Sequence, residues 1–204
     1  MAAGDTRKRG SYKSSAQVRA RLLDAARTEF AIHGFEGAST RAIARRASAH
    51  QPQINYHFES KEALWYAVMD AFMAEIDEFM PDDETDLRTG VEQTIRGLVR
   101  FAAARPELNR IMINEASAPS PRLTWLVDTH VRPRYERYDM AWTALQAKGG
   151  VAKIPTGLAY YLMIGASSLL HANAPEAELL TGMKASDPAT VEAHADAMVQ
   201  LFLG

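Results

Sequence analysis

Two glutamines, an asparagine, a tyrosine, a histidine and a lysine fall between Gln51 and Lys61, as Gln51, Gln53, Asn55, Tyr56, His57 and Lys61. Side-chain amides can pair with base edges in a duplex groove, and hydroxyl, imidazole and ammonium groups can hold phosphate oxygens. A helix that only packs against its own protein has no use for such polarity. Ser39, Thr40 and Arg41 add two hydroxyls and a guanidinium just upstream. The chemistry these types suit is non-covalent, with phosphate contacts fixing position and base contacts fixing identity.

Covalent chemistry finds no comparable foothold. The chain contains no G-x-x-x-x-G-K-[ST], G-x-G-x-x-G, H-E-x-x-H, G-x-S-x-G or E-x-x-H pattern, the spacings that phosphate cradles, zinc helices and nucleophile elbows require. His171 and His194 are isolated in sequence. Asp128 and His130 are two residues apart, which puts them on different faces of a helix. No enzymatic activity, metal or cofactor is therefore expected. The absence of cysteine removes disulfides and thiolate ligands and suits a reducing compartment, so the expected location is cytoplasmic. No run approaches the roughly 20 apolar residues that span a bilayer, and the basic N-terminus lacks the apolar stretch of an export signal. No membrane association is expected.

The elements that must position the polar set are short helices. Ser39 is a good N-cap, Ile43 and Ala44 give a small apolar face, and Ala47, Ser48 and Ala49 form a bend without bulk. Pro52 suits the first turn of the next helix, where its missing N–H costs nothing. Upstream, Ser15 caps a helix to about His33 whose stripe is Val18, Leu22, Ala25, Ala26 and Phe30. Gly34 can end it in the left-handed conformation, with Phe35 folding back over its last turn.

At these residues the chain resembles a known family. The run Ile54-Asn-Tyr-His-Phe-Glu-Ser-Lys-Glu-Ala-Leu64 is similar to the Y-x-H-F-x-S-K-x-x-L signature that closes the DNA-binding domain of TetR-type transcriptional repressors. Ala25 to Phe35 and Ser39 to Ala44 are similar to that family's first two helices. The resemblance covers about a third of the chain, roughly residues 15–70. It departs from the family at Ser48 and Ala49, where Gly-Val is commoner, at His50, where a capping Ser is usual, and at Asn55, where a Tyr is usual.

Charge is divided to match. The net charge is −2, yet through Ser60 there are ten Lys and Arg against five Asp and Glu, and beyond it thirteen against twenty. A basic module attracts phosphates while an acidic remainder discourages adhesion elsewhere. Residues 1–14, with Arg7, Lys8, Arg9 and Lys13, are expected to be a disordered basic arm. Residues 15–60 are expected to form the helix-turn-helix domain, and residues 61–204 a helical effector-binding and dimerisation domain. The fold expected is all-α, an N-terminal three-helix DNA-binding domain followed by a larger helical one.

In that larger part, Ser60 caps a helix to about Phe79, and Pro81 with its following acids breaks the chain. Helices then follow over about 86–104, 106–117 and 121–148, the last kinked at Pro133, and over about 156–172 and 188–203, with Asp187 as the N-cap of the last. The helix at 156–172 is apolar nearly all round, as is the end of the chain, so both must be buried on more than one side. Tyr161, Ile164, Ala166, Leu169, Met198, Val199 and Phe202 are the candidate dimer seam. The resemblance implies a four-helix interface that spaces two recognition helices about one DNA turn apart.

Asn114, Glu115, Trp125, Asp128, His130, Arg134, Tyr135, Tyr138, Trp142 and Tyr160 lie among apolar neighbours, a mixture suited to a greasy cavity with a few orienting groups. Asn114, Glu115, Trp125, His130 and Tyr160 are the candidate ligand contacts, Glu115 and His130 foremost. Partners are then a double-stranded DNA operator, a second copy of the chain and a small organic effector, the last implied by the resemblance.

Overall fold

The computed structural model describes the backbone of residues 4–81 and 86–204, and the side chains from Ser15 onward within those spans. Among the described residues every regular element is helical. The chain divides into two compact units, Met1–Ala71 and Phe72–Gly204.

The first unit holds α1 (Gly4–Gly37), α2 (Thr40–Arg46), α3 (Pro52–Phe58) and the first half of α4 (Lys61–Asp77). Leu22, Ala26, Phe30, Ile43, Ile54, Leu64, Trp65 and Val68 are fully buried, so the stripe read from the sequence is the core. Gly34 interrupts α1 with φ 65 and ψ −179, a conformation close to glycine-only. Phe35 turns back to stack on Phe30 at 6.1 Å.

The arm expected over residues 1–14 is helical from Gly4, and Met1, Ala2 and Ala3 lie outside the described residues. Once Ser15 onward is helical, adding residues N-terminally needs no new nucleus, and no proline interrupts Gly4–Gly37.

The second unit begins within α4 and continues as α5 (Leu87–Ala104), α6 (Pro106–Ala116), α7 (Pro121–Leu126), a π-helical turn (Val127–Val131), α8 (Arg132–Ala147), α9 (Thr156–Ala172), α10 (Ala174–Thr181) and α11 (Pro188–Leu203). Asp86 caps α5, its carboxylate accepting the Thr89 N–H at 2.9 Å. That bond holds its carboxyl below the ordinary range. Val91, Ile95 and Val99 of α5 meet Leu145 of α8, Met163 of α9 and Ala195, Met198 and Leu203 of α11 in one core cluster. Arg96 and Arg100 cross from α5 to Asp196 and Glu192 of α11 at 2.6 and 2.7 Å.

Three details differ from expectation. The helix over 121–148 is not kinked by Pro133 alone. The Arg132 N–H bonds the Val127 carbonyl five residues back, and this wider turn absorbs the donor that Pro133 lacks. Residues 174–181 form a further helix, with Pro175 in its first turn and Gly182 left-handed at its end (φ 74); its length of 8 residues is too short for apolar periodicity to show in the sequence. Asp187 precedes α11 in extended conformation, but its side chain makes no cap bond.

The isolated histidines come together. His171 Nε2 lies 3.1 Å from His194 Nδ1, and their other ring nitrogens meet the Ala185 and Ala166 carbonyls at 3.1 and 3.0 Å. Burial lowers both pKa values, and for His171 the neighbouring His194 lowers it further.

The unfolded chain takes up protons at the two histidines before the folded one does, so the melting temperature falls as pH drops below about 6.5, and His194→Gln makes the fall shallower. Gly97 of α5 is buried, and a Cβ there would overlap the Phe79 carbonyl oxygen. Gly97→Ala is therefore expected to cost about 1–3 kcal/mol, read as a lower melting temperature.

Candidate nucleic-acid interface and effector cavity

Only one side of α3 is tied down. Ile54 and Phe58, a turn apart, are buried at 0% and 5% exposure, and Arg19 of α1 lies over the Phe58 ring at 4.9 Å. Gln51, Asn55 and Tyr56 are exposed, Tyr56 at 79%, while Gln53 and His57 are half-buried. The Tyr56 and His57 rings meet edge to face at 4.9 Å.

Several candidates also serve the fold. The Gln53 amide oxygen accepts the His50 N–H at 2.8 Å, so this side chain caps the start of its own helix. Gln51 Nε2 donates to Thr40 Oγ1 at 3.0 Å, linking α3 to α2. Ser39 Oγ accepts the Ala42 N–H at 3.0 Å, and Arg41 is exposed. Lys61 Nζ donates to the Glu36 carbonyl at 3.3 Å and sits 4.6 Å from the Phe35 ring centroid. It thus pins the start of α4 to the end of α1.

The bend between α2 and α3 is held from α1. Arg21 Nε donates to the Ala47 carbonyl at 3.0 Å, and Arg46 pairs at 2.9 Å with Glu29, which is only 5% exposed. The Ser48 φ of 50 lies in the left-handed region, which costs a side-chain-bearing residue about 1–2 kcal/mol.

In the second unit, α5, α6, α8, α9 and the end of α4 enclose a cavity of 560 Å³, within the roughly 300–1,000 Å³ that surrounds a drug-sized molecule. Its walls are largely apolar, with Met73, Ile76, Val91, Leu98, Phe101, Met112 and Met163 among them. Arg105, Asn109, Arg134, Arg137, Tyr138, Tyr160 and Ser167 supply polar groups. Arg134 Nη2 donates to both Asp77 oxygens at 2.7 and 2.8 Å and to the Met73 carbonyl. Tyr138 and Tyr160 touch ring to ring at 5.6 Å. Burial raises both phenol pKa values, so the hydroxyls stay protonated.

Of the five ligand candidates, Tyr160 lines this cavity and Asn114, Glu115, Trp125 and His130 do not. Asn114 is exposed. Glu115 is on the same stripe of α6 as Leu108 and Met112 but lies beyond the cavity, where its carboxylate accepts from Ser120 and from Arg122. Trp125 and His130 pair with each other at 5.1 Å. Arg134 and Tyr138, which stand outside the five candidates, line the cavity. Their signal was a spacing of four residues, one face of α8, together with Val131 and Ala141.

The seam candidates separate in the same way. Leu158, Tyr161, Leu162 and Leu169 of α9 are 56–75% exposed, and Ala166 is exposed between them. Met198 is buried in the core cluster, with Ile164, Val199 and Phe202 packed against it. These four face inward, Ile164 from α9 and the other three from α11, which spends its apolar face on α5. Leu201, 71% exposed, is the large apolar residue α11 leaves outside.

Residues 22–68 match the family model described as "Bacterial regulatory proteins, tetR family". The chain is 32% identical over 98 residues to the HTH-type transcriptional repressor SCO4008 of Streptomyces coelicolor, covering 48% of this chain and 49% of that protein. It thus spans about half the length of that relative. Similarity to the HTH-type transcriptional regulator RutR of Escherichia coli K12 is 27% over 172 residues, 81% of this chain and 79% of RutR. The crystal structure of AibR in complex with isovaleryl coenzyme A and operator DNA superposes with TM-score 0.73 at 19% identity, covering 92% of this chain and 98% of AibR. At that identity it establishes the fold alone.

Because Ser48 carries a side chain in a left-handed conformation, Ser48→Gly is expected to stabilise the protein by about 1 kcal/mol, measured by thermal or denaturant unfolding.

Proposed function

We propose that the chain is a TetR-type bacterial transcriptional regulator, on the match of residues 22–68 to that family's model, and that it acts as a homodimeric repressor released by a small organic effector. The observation that carries the reading is the exposed polar side of α3, whose opposite side is fixed by Ile54 and Phe58.

In this reading Ser39, Thr40, Arg41, Tyr56, His57 and Lys61 hold phosphates, while Gln51, Gln53 and Asn55 meet base edges. Gln53 exchanges its cap bond for a base, or lets a neighbouring amide read instead. Dimerisation buries the exposed leucines and Tyr161 of α9 together with Leu201 of α11, a set too apolar to leave in water at no cost. The proposed division is a DNA-binding part that runs past the Ser60 boundary expected from the sequence to the unit boundary at Ala71, and an effector and dimer part beyond it.

The effector occupies the cavity beside α4, the helix that leads from the DNA-binding unit. AibR, whose fold is similar, was crystallised with both an acyl coenzyme A and its operator. An effector releases DNA only by its differential affinity for the two states, typically 1–3 kcal/mol. Tight binding to both would do nothing.

Gel-shift titration on fragments selected from the source genome tests this. Affinity should fall steeply with salt, by about 10³–10⁵ between 50 and 200 mM for six to ten phosphate contacts. Lys61→Ala should weaken all sequences alike, and Asn55→Ala or Gln53→Ala should change preference among them. Binding indifferent to salt, or no binding to any duplex, would remove the reading.

A further inference from the structure

Arg134 Nε, Tyr138 Oη and Ser167 Oγ are buried atoms without a hydrogen-bonding partner, and all three belong to residues that line the one cavity described above. A buried donor left unmade costs about 1–3 kcal/mol, and a fold carrying three around one lumen has reason to keep them. Arg134 and Tyr138 are one turn apart on α8. Tyr138 touches Tyr160, and Ser167 follows Tyr160 by seven residues on α9, roughly 10 Å along the axis. The polar groups therefore form a cluster at Arg134, Tyr138 and Tyr160, with a separate station at Ser167 and apolar wall between.

The cluster sets the sign of its guest. Arg134 Nε–H can only donate, and the Tyr138 hydroxyl, kept protonated by burial, has a proton to donate. Among the described lining residues there are three arginines, Arg105, which pairs with Glu75 at 2.6 Å, Arg134 and Arg137, and one acid, Asp77. Asp77 is already occupied on both oxygens by Arg134, so it has little left to offer a cation.

Resting on the effector reading, we propose that the effector is an amphipathic carboxylic acid, its carboxylate held by Arg134 and Tyr138 and its apolar body lying along Val91, Leu98 and Met163. Seating the carboxylate turns the unmade donors toward the lumen and satisfies them. Ser167 then meets a polar substituent near the far end of longer members of the class.

Calorimetric titration of the full-length protein with octanoic acid, methyl octanoate and octylamine tests the head group at constant chain length. The acid is expected to bind at least tenfold more tightly than the ester or the amine. Tyr138→Phe should weaken the acid about tenfold, the scale of a bond to a charged group, while leaving ester affinity, helix content and operator affinity unchanged. Because Arg134 is tied to Asp77 and its loss would disturb the fold, Tyr138→Phe is the informative variant. Equal or tighter binding of the ester or amine overturns the carboxylate assignment and leaves the cavity as an effector site. Failure of all three probes to bind overturns both.

Discussion

Helix α3 is 7 residues long, too short to be stable without tertiary support. Its orientation rests on two side chains, Ile54 and Phe58, that are wholly withdrawn from water. Their burial, worth about 1.5–3 kcal/mol each, fixes which side of the helix is left over, and the residues left over are Gln51, Asn55 and Tyr56. The neighbouring bonds serve that arrangement. Gln53 caps the helix, Gln51 reaches Thr40, and Arg21 holds the bend at Ala47. The exposed polar side is thus a consequence of burial: the polar residues face outward because the apolar ones have taken the inside.

The second unit uses one helix for two purposes. Val91 of α5 belongs to the core cluster and also to the cavity wall. Toward α11 the helix is closed by leucine and methionine packing and by the Arg96 and Arg100 ion pairs. Toward α6, α8 and the end of α4 it borders open volume. A cavity edged by an ion-paired helix keeps its shape, so its walls are preformed.

Much of this was legible in the sequence. Ser39, Asp86, Pro106 and Pro188 mark helix starts because caps and first-turn prolines act locally, and α9 runs as its apolar content suggests. The facing of side chains around the cavity was harder to read. The π turn at Val127–Val131 shifts the register between α7 and α8, so the faces of Trp125 and His130 cannot be carried onto Arg134 and Tyr138 by counting in steps of 3.6. Glu115 has the right stripe and lies past the cavity's end, and a sequence does not record where a cavity ends. Met198 and Phe202 were read as seam because apolar composition does not tell intrachain burial from burial between chains.

The central claim, that the exposed side of α3 is the surface that meets DNA, is tested most directly by oxidative footprinting of the full-length protein with and without its duplex. Tyr56, 79% exposed, should lose most of its reactivity on adding DNA, while Tyr161, 75% exposed on α9, should not change. Tyr56 reacting equally in both states while the duplex is demonstrably bound would contradict the account.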